Sequence, residues 1–314
     1  MTPREKVCRD GKRYRTLARH LKETTGRRIV KIPLASGCTC PNRDGTKGVG
    51  GCAFCTEKGG GEFFPAGGTL LSQYEMGLSA LRGKYPDADP IAYFQSFTNT
   101  YCAPDVLTSL LDETAALPGV RGIRIATRAD CLPENIIEVL RQTAQKLPVM
   151  LELGLQTAND ETARRINRGH TTKEFVEGFL RLHAAHLPVC VHLINGLPGD
   201  TKEDMLSSAR LLGKLCPEGV KLHMLHLLRG SALGEEYQRE PFPLLTKEEY
   251  VGIICRQLEL LCPDTVIERL TGDGDRRTLI APDWTRNKRA VLNAIDQELA
   301  RLDTWQGRLW EESI

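Results

Sequence analysis

The sequence predicts an α/β protein whose parallel strands form a partial, TIM-like (β/α)6 barrel that is open on one side. Short runs of branched and aromatic residues alternate with amphipathic stretches along the chain, a pattern typical of alternating strands and helices. Because a helix follows each strand, we expect parallel pairing with right-handed crossovers. Six such units are too few to close an eight-stranded barrel, so the barrel is expected to stay open.

The six strand candidates are short and are bounded by Gly, Pro or Asp. They are Arg28–Leu34, Ile91–Phe97, Gly122–Thr127, Val149–Leu155, Val189–Asn195 and Val220–Leu227. The helices expected between them are Leu70–Gly83, Pro104–Ala116, Pro133–Lys146, Lys173–Ala185 and Lys202–Cys216. Pro104 and Pro133 suit the first turn of a helix, and Thr201 suits an N-cap because acidic residues follow it.

Three segments follow from this pattern. Residues 1–31 form a basic N-terminal arm, residues 32–235 form the barrel with a cysteine-rich loop at 37–61, and residues 236–314 form a C-terminal α/β extension packed on the barrel. The extension is expected to contain a helix at Thr246–Cys262, a seventh strand at Thr265–Leu270 and a helical region at Asn287–Leu302. In barrels of this kind the chemistry lies at the C-terminal ends of the strands.

The arm differs from the rest of the chain in charge. Eleven Lys and Arg against three acidic residues give residues 1–31 a net charge of +8, although the whole chain carries only +2. Such an arm suits a polyanion such as RNA, with Arg9, Arg13 and Arg19 placed on phosphates. It also suits a solvated N-terminus, and Tyr14–Thr24 is compatible with a helix.

Composition excludes several other classes of protein. With 41% hydrophobic and 26% charged residues, the chain is not disordered in the main. No apolar run approaches the roughly 20 residues of a membrane helix, and the N-terminus lacks a signal-peptide core, so we expect a cytoplasmic protein with no membrane association. Eleven cysteines in a reducing compartment indicate metal ligation together with buried thiols.

The strongest local signal is the loop after the first strand. Cys38, Cys40, Cys52 and Cys55 fall within 18 residues of a glycine-rich segment that runs on to Gly59–Gly61. Four thiolates could hold a structural zinc ion, or three could hold an iron–sulfur cluster with one iron left open. The position of the loop at the top of the strand and the phenylalanine between the last two cysteines favour the cluster. A C-x-C pair also grips a single tetrahedral ion awkwardly.

The segment from Cys40 to Cys55, with its C-x11-C-x2-C spacing, resembles the cluster motif of radical S-adenosylmethionine (SAM) enzymes. The chain is similar to the bacterial YhcC/YtqA-type family, a relative of the radical SAM domain in the catalytic subunit of Elongator. Further resembling segments occur in the right order: Tyr93–Tyr101, Thr127–Cys131, Glu152–Thr157, Arg165–Thr171 and His192–Gly199. The resemblance implies a [4Fe-4S] cluster on Cys40, Cys52 and Cys55, with Cys38 as a neighbour that is not a ligand.

The resemblance also implies that SAM binds the open iron and is cleaved to a 5′-deoxyadenosyl radical, with electrons from an external donor of the flavodoxin or ferredoxin type. Residues expected to bind SAM are Phe54, Thr98, Asn99, Thr100, Arg128, Glu152, Gln156, Arg168 and Gly196. Alternation places Glu152 and Gln156 on one face of their strand, which suits the ribose hydroxyls. Arg128 could instead pair simply with Asp130, and Arg168 could serve a helix C-terminus.

Other candidate residues carry weaker signals. His192 is expected to be a core histidine, and the spacing of His223 and His226 argues against a paired metal site. The six cysteines outside the loop and arm are expected to be buried thiols; they are Cys102, Cys131, Cys190, Cys216, Cys255 and Cys262.

The function expected from the resemblance is radical SAM chemistry on the wobble uridine of tRNA. A small-molecule substrate is the alternative within the same enzyme class. A zinc-stapled nucleic-acid-binding module is the alternative outside it.

Overall fold

Seven parallel strands form a single curved sheet, a half-barrel open between its two edge strands. The computed structural model describes residues 3–59, 67–272 and 274–311. The expected loop 37–61 therefore extends, at Gly60 and Gly61, outside the described residues. The strands are β1 (Ile29–Leu34), β2 (Asp89–Phe94), β3 (Ile123–Thr127), β4 (Val149–Gln156), β5 (Val189–Asn195), β6 (Gly219–Met224) and β8 (Val266–Arg269), in that spatial order.

The helices pack on the outer face of this sheet or continue into the C-terminal extension. They are α1 (Pro3–Val7), α2 (Leu17–Thr25), α3 (Leu70–Arg82), α4 (Pro104–Ala115), α5 (Glu134–Ala144), α6 (Asp160–Arg165), α7 (Thr172–Ala184), α8 (Lys202–Leu215), α9 (Ala232–Arg239), α10 (Lys247–Leu260) and α11 (Lys288–Arg301). A two-stranded antiparallel ribbon joins β7 (Leu227–Leu228) to β9 (Leu279–Ala281), and a 3-10 turn spans Asp283–Arg286. None of the described helices is long and apolar enough to cross a bilayer.

The predicted α/β half-barrel is confirmed, with two differences. The strand expected at Ile91–Phe97 ends at Phe94, and Phe97 has a φ of 64°, a left-handed conformation that no strand continues through. The strand expected at Val220–Leu227 ends at Met224, and its last residue belongs to the separate ribbon. The seventh strand is present, and it pairs in parallel with β6, so the sheet has seven strands instead of six.

The hydrophobic core lies between the sheet and its helices. Outward-facing strand residues such as Ile32, Leu151 and Val191 are fully buried and pack in one cluster with Phe175 of α7 and Leu212 of α8. Strands buried on both faces in this way are usual for parallel sheets. The inward faces, in contrast, carry polar side chains, which form the site.

The N-terminal arm packs against the C-terminal extension. The backbone of Arg15 accepts a hydrogen bond from Ile267 of β8, and that of Arg13 accepts one from Gln306. Five basic side chains of the arm pair with three carboxylates of the extension: Arg4 and Arg13 with Asp303, Lys6 and Arg15 with Asp264, and Lys12 with Asp296. These three carboxylates offset three of the arm's eight net positive charges.

Arg19 does not fit the phosphate-binding role expected for it. It is only 7% exposed, and its guanidinium donates hydrogen bonds to the carbonyls of Val7 and Lys6. Burial of the side chain under α1 removes it from any RNA surface.

Two of the six cysteines expected to be buried thiols instead form a disulfide. Cys216, which caps α8, bonds to Cys262, just beyond α10, and their Cα atoms are 5.4 Å apart. The two lie 46 residues apart in sequence, so only the packing of α8 against α10 brings them together. Cys131, Cys190 and Cys255 are buried thiols, and Cys102 is half-buried.

Gly178 lets α7 pack directly on the segment after β3 that leads to the site. A Cβ atom added there would lie 2.3 Å from the carbonyl oxygen of Ala129. We expect Gly178→Ala to lower the free energy of unfolding by about 1–3 kcal/mol, because backbone atoms must move apart.

The measurement is urea unfolding followed by circular dichroism. Gly252→Ala in α10 is the matched control, because its added Cβ meets nothing within 4 Å. It should leave stability unchanged or raise it by up to about 1 kcal/mol. Equal midpoints for the two variants would contradict the close approach at Gly178.

Candidate active site

A cavity of about 330 Å³ opens at the C-terminal ends of the strands, inside the half-barrel. Cys40, Cys52 and Cys55 all line this cavity, and Cys38 does not. The cavity lies at the end of the barrel where the sequence predicted the chemistry. The loop after β1 brings the three cysteines of the C-x11-C-x2-C motif to its wall, and residues of β3, β4, β5 and β6 line it as well.

Backbone hydrogen bonds hold the cysteine loop in place. Ala53, between the two last cysteines, donates to the carbonyl of Ile166 at 2.8 Å and accepts from Leu233 at 2.9 Å. The Asn167 amide donates to the carbonyl of Gly51 at 2.8 Å. These bonds fix the loop to the end of α6 and the start of α9.

The neighbouring thiols of Cys52 and Cys55 differ in acidity. The pKa of Cys55 is raised well above its usual value by its hydrogen bond to Cys52 and by burial, whereas the environment of Cys52 favours the thiolate form that ligates metals. The pKa of Cys52 is lowered to about 7, because Cys55 donates a hydrogen bond to its sulfur and this outweighs burial, with Arg128 adding attraction. The Asn42 amide donates a further bond to Cys52 Sγ at 3.7 Å. Such donors to cluster sulfurs are expected around iron–sulfur centres.

The four loop cysteines do not surround a single point. Cys38 Sγ lies 3.8 Å from the carbonyl oxygen of Asn99, on the side of Cys102. Within residues 3–59, 67–272 and 274–311, no three Cys, His, Asp or Glu side chains converge as ligands of one metal ion. A tetrahedral zinc site would need such convergence. Cys40, Cys52 and Cys55 line one cavity, and three thiolates are the ligand set of a cluster whose fourth iron stays open.

Six of the nine residues expected to bind SAM line the cavity; they are Phe54, Thr98, Arg128, Glu152, Gln156 and Arg168. Asn99 and Thr100 do not, because their side chains hold the loop together. The Asn99 amide donates to the carbonyls of Phe94, Ser96 and Ala126. Thr100 bonds to Thr127 and to the carbonyl of Cys131. Of this trio, only Thr98 is placed to meet a ligand.

Gly196 also lies outside the cavity wall. Its N–H contacts the sulfur of Met205 at 3.3 Å, and a Cβ there would meet Leu245 at 3.1 Å. The glycine allows the left-handed turn after β5, where its φ is 87°. The left-handed turn by itself accounts for a glycine at position 196, so a contact with a cofactor is not needed to explain it.

The end of β4 is shaped by Gly154 and Gln156. Gln156 has a φ of 59° and follows a bulge in the pairing of β4 with β5. A Cβ at Gly154 would lie 2.1 Å from the end of the Gln156 side-chain amide, so glycine makes room for the amide. Bulges commonly redirect a side chain next to a site.

Arg168 fixes this end of the strand. It is 1% exposed, and its guanidinium donates to the carbonyls of Leu155 and Thr157 at 2.5 Å each and to that of His170 at 2.9 Å. Its nitrogens are therefore largely used by the backbone. Arg168 shapes the cavity wall chiefly as a positioning residue.

Arg128 forms an ion pair with Asp130, which was the alternative to a contact with SAM. Its Nε and one terminal nitrogen lie 3.0 and 2.9 Å from the two Asp130 oxygens. The other terminal nitrogen donates to the carbonyl of Arg168 at 2.6 Å. Arg128, just after β3, is thereby linked to Arg168, which follows α6 and bonds to the end of β4.

His170 is a cavity residue that the sequence did not identify. Neither ring nitrogen has a hydrogen-bond partner among the described residues, although the side chain is nearly buried. Burial, with repulsion from Arg168 and Arg128, lowers its pKa to about 3, so the ring is neutral near pH 7. An unpaired buried ring facing a cavity suits a bound ligand. In the sequence, His170 could have been identified from its position in the Arg165–Thr171 segment, which resembles the family.

Glu152 is the centre of a buried charge network beneath the cavity, which we call the Glu152 network. The carboxylate accepts bonds from Tyr93 at 2.6 Å, from Arg124 and His192 at 3.0 Å, and from Lys31 at 3.1 Å. Lys221 bonds to it as well. Five donors leave little room for a ribose, so we assign Glu152 to the network and no longer to SAM.

Glu268 of β8 completes the network. Arg124 and Lys31 both bridge from Glu152 to Glu268, at 2.7 and 3.2 Å from the latter. Burial alone would raise the pKa of Glu152, but Lys221 and Lys31 lower it well below its usual range. Three cations therefore share two carboxylates inside the half-barrel. Most of these residues are far apart in sequence, so no motif indicated the network.

Removing the Glu152 charge should destabilise the protein strongly. We expect Glu152→Gln to cost about 3–5 kcal/mol, because three buried cations lose a carboxylate. Thermal unfolding measures the loss. Adding Lys221→Met to Glu152→Gln should recover part of it, since one uncompensated cation is removed.

Glu138→Gln is the control for this experiment, because the partners of Glu138, Arg141 and Gln142, are exposed on the same helix, α5. It should leave the unfolding midpoint almost unchanged. A small, similar shift for Glu152→Gln and Glu138→Gln would contradict the central role of Glu152.

The comparisons agree with the fold. Residues 45–212 match the family model of the radical SAM superfamily, and residues 217–301 match the radical SAM C-terminal domain. The fold is similar to that of the archaeal Methanocaldococcus infernus Elp3 with an N-terminal deletion (1-46), at a TM-score of 0.62 and 16% identity. That alignment covers 86% of this chain and 63% of the other.

Sequence relatives place the chain more finely. It is 40% identical to YtqA of Bacillus subtilis (strain 168) over 96% of this chain and 94% of YtqA. It is 31% identical to YhcC of Escherichia coli (strain K12), covering 87% of this chain and 88% of YhcC. Identity to Elongator complex protein 3 of Schizosaccharomyces pombe is also 31%, but over 48% of this chain and 28% of that protein. The zinc-stapled binding module is thus the wrong alternative, and the chain belongs to the radical SAM superfamily of enzymes, in the family of YtqA and YhcC.

Proposed function

We propose that this enzyme uses a [4Fe-4S] cluster and SAM to modify a nucleoside of tRNA, with the wobble uridine as the expected target. One observation carries the radical SAM part: Cys40, Cys52 and Cys55 line one cavity at the strand ends and Cys38 lies outside it. The cluster would be held by those three thiols. When bound, the cluster and SAM supply one-electron radical chemistry.

The chain's own residues would hold and shield these groups. Asn42 donates to the Cys52 sulfur, which stabilises a thiolate ligand. Phe54 provides an apolar surface between the cysteines, and Thr98 and Gln156 offer polar atoms in the same cavity. Arg168 keeps the end of β4 in position. The neutral ring of His170 can accept or donate one hydrogen bond to a bound polar group.

The tRNA part rests on similarity to the Elongator subunit, which covers about half of this chain. The basic arm supports it less than its charge suggested, because five of its cations are paired with the C-terminal extension. We propose cytoplasmic action, with electrons from an external flavodoxin- or ferredoxin-type protein. A small-molecule substrate is the competing outcome.

Cluster binding tests the proposed ligands. Replacing Cys40, Cys52 or Cys55 with Ala should abolish cluster binding, because each would supply the thiolate for a different iron. Iron and acid-labile sulfide, with visible absorption, are measured after anaerobic reconstitution. Cys38→Ala is the matched control from the same loop and should keep the cluster. Equal loss of iron in Cys38→Ala and Cys40→Ala would overturn the assignment.

Substrate identity is tested by turnover. Reconstituted protein is incubated anaerobically with SAM and a reductant, with and without bulk tRNA from cells that lack this enzyme. Nucleosides from the tRNA are then analysed by mass spectrometry. We expect a new modified uridine that depends on SAM and is absent with Cys52→Ala. SAM cleavage with no change in any nucleoside would contradict tRNA as the substrate and leave the radical SAM assignment standing.

A further inference from the structure

His170 is held at the wall of the cysteine-lined cavity by a tight turn. Gly169, just before it, has a φ of 76°, a conformation that glycine adopts without strain. A Cβ added to Gly169 would lie 2.8 Å from the side-chain oxygen of Asn42, and the Asn42 amide donates to Cys52 Sγ at 3.7 Å. The turn that carries His170 therefore packs directly against the cysteine loop.

The charged side chains around His170 are already bonded to other atoms of the protein. Arg128 donates to both oxygens of Asp130 and to the carbonyl of Arg168. Arg168 donates to three backbone carbonyls, and Lys47 lies 2.6 Å from an oxygen of Asp130. These side chains shape the wall, but their hydrogen-bonding atoms are largely used within the chain.

The ring of His170, in contrast, has no hydrogen bond to any atom of the described residues, at either nitrogen. The side chain is only 2% exposed, and the Asp130 oxygen at 3.9 Å from Nδ1 is too far away for a hydrogen bond. Leaving a buried polar group without a partner costs free energy, so folded proteins rarely do it without a reason. Because the ring lines a cavity, a bound ligand is the expected partner.

The surrounding charges indicate which nitrogen offers a lone pair. Burial and the cations Arg168 and Arg128 lower the pKa of His170 to about 3, so the ring is neutral near pH 7 and carries one N–H and one lone pair. The carboxylate of Asp130 lies on the Nδ1 side and stabilises a proton there, which leaves the lone pair on Nε2. The group that fits Nε2 is therefore an N–H or O–H donor.

We propose that Nε2 of His170 accepts a hydrogen bond from SAM when the cofactor is bound beside the cysteines. This inference rests on the radical SAM part of the proposed function and does not depend on the tRNA part. SAM carries donors of the required kind in its amino group and in its adenosyl part. Glu152 and Thr100 are bonded within the protein instead, so His170 supplies a polar contact that they do not.

The test measures SAM binding to the cluster-reconstituted enzyme by anaerobic calorimetry, without a reductant so that SAM stays intact. His170→Phe removes both nitrogens and keeps a flat ring, whereas His170→Gln keeps a side chain that can accept a hydrogen bond. His183→Phe, the same substitution at an exposed position of α7, is the matched control. Iron content and thermal unfolding without SAM are measured for each variant. A second probe, 5′-deoxyadenosine, lacks the amino acid part of SAM.

We expect His170→Phe to weaken SAM binding by about tenfold or more, because a donor of the bound cofactor loses its partner. His170→Gln and the control should stay within about threefold of the unchanged enzyme, and all variants should keep their iron. The unfolding midpoint of His170→Phe should not fall, since the replacement breaks no hydrogen bond of the ring within the described residues. An equal loss for 5′-deoxyadenosine would assign the donor to the adenosyl part, and a loss confined to SAM would assign it to the amino group.

Unchanged SAM affinity in His170→Phe, while the unchanged enzyme binds SAM, would overturn this inference alone. A lower unfolding midpoint with unchanged affinity would do the same and would make His170 a structural residue. Loss of iron in His170→Phe would also overturn it, because the ring would then serve the cluster. If the unchanged enzyme takes up iron and binds no SAM, the radical SAM part of the proposed function fails together with the inference.

Discussion

The charge on Glu152, buried inside the half-barrel, is the interaction on which the rest of the site depends. An inward-facing carboxylate that is 1% exposed is stable only when cations and hydrogen bonds compensate it. Here β1, β2, β3, β5 and β6 each contribute one donor to it: Lys31, Tyr93, Arg124, His192 and Lys221. One carboxylate thus ties six strands together from inside, where an ordinary barrel would use apolar side chains.

The Glu152 network contributes residues to the walls of two cavities in the half-barrel. Above it, the ends of β3 and β4 are tied by Arg128 and Arg168, which bond mainly to the backbone and to Asp130. The three cysteines line the cavity next to these tied strand ends. The same network also places Lys31 and Lys221 in the wall of an adjoining cavity of about 870 Å³.

The N- and C-terminal segments show how formal charge can mislead about function. Residues 1–31 look like a free basic arm, but five of their basic side chains pair with Asp264, Asp296 and Asp303 of the C-terminal extension. The segment also runs along β8, where Thr16 forms a bridge to Ile267. It thereby covers part of an edge strand, a common way to protect a sheet.

By itself, the sequence determined the order of strands and helices, the superfamily and the three cysteines. Those features depend on local periodicity and on a motif within 16 residues, which is readable along the chain. Only the tertiary structure decided which polar residues reach the cavity. Asn99 and Thr100 hold the loop instead, and Glu152 meets Lys31, Arg124, Lys221 and Glu268 from strands distant in sequence. Alternation along a strand says which face a side chain occupies, but a partner on another strand decides whether it is free for a ligand.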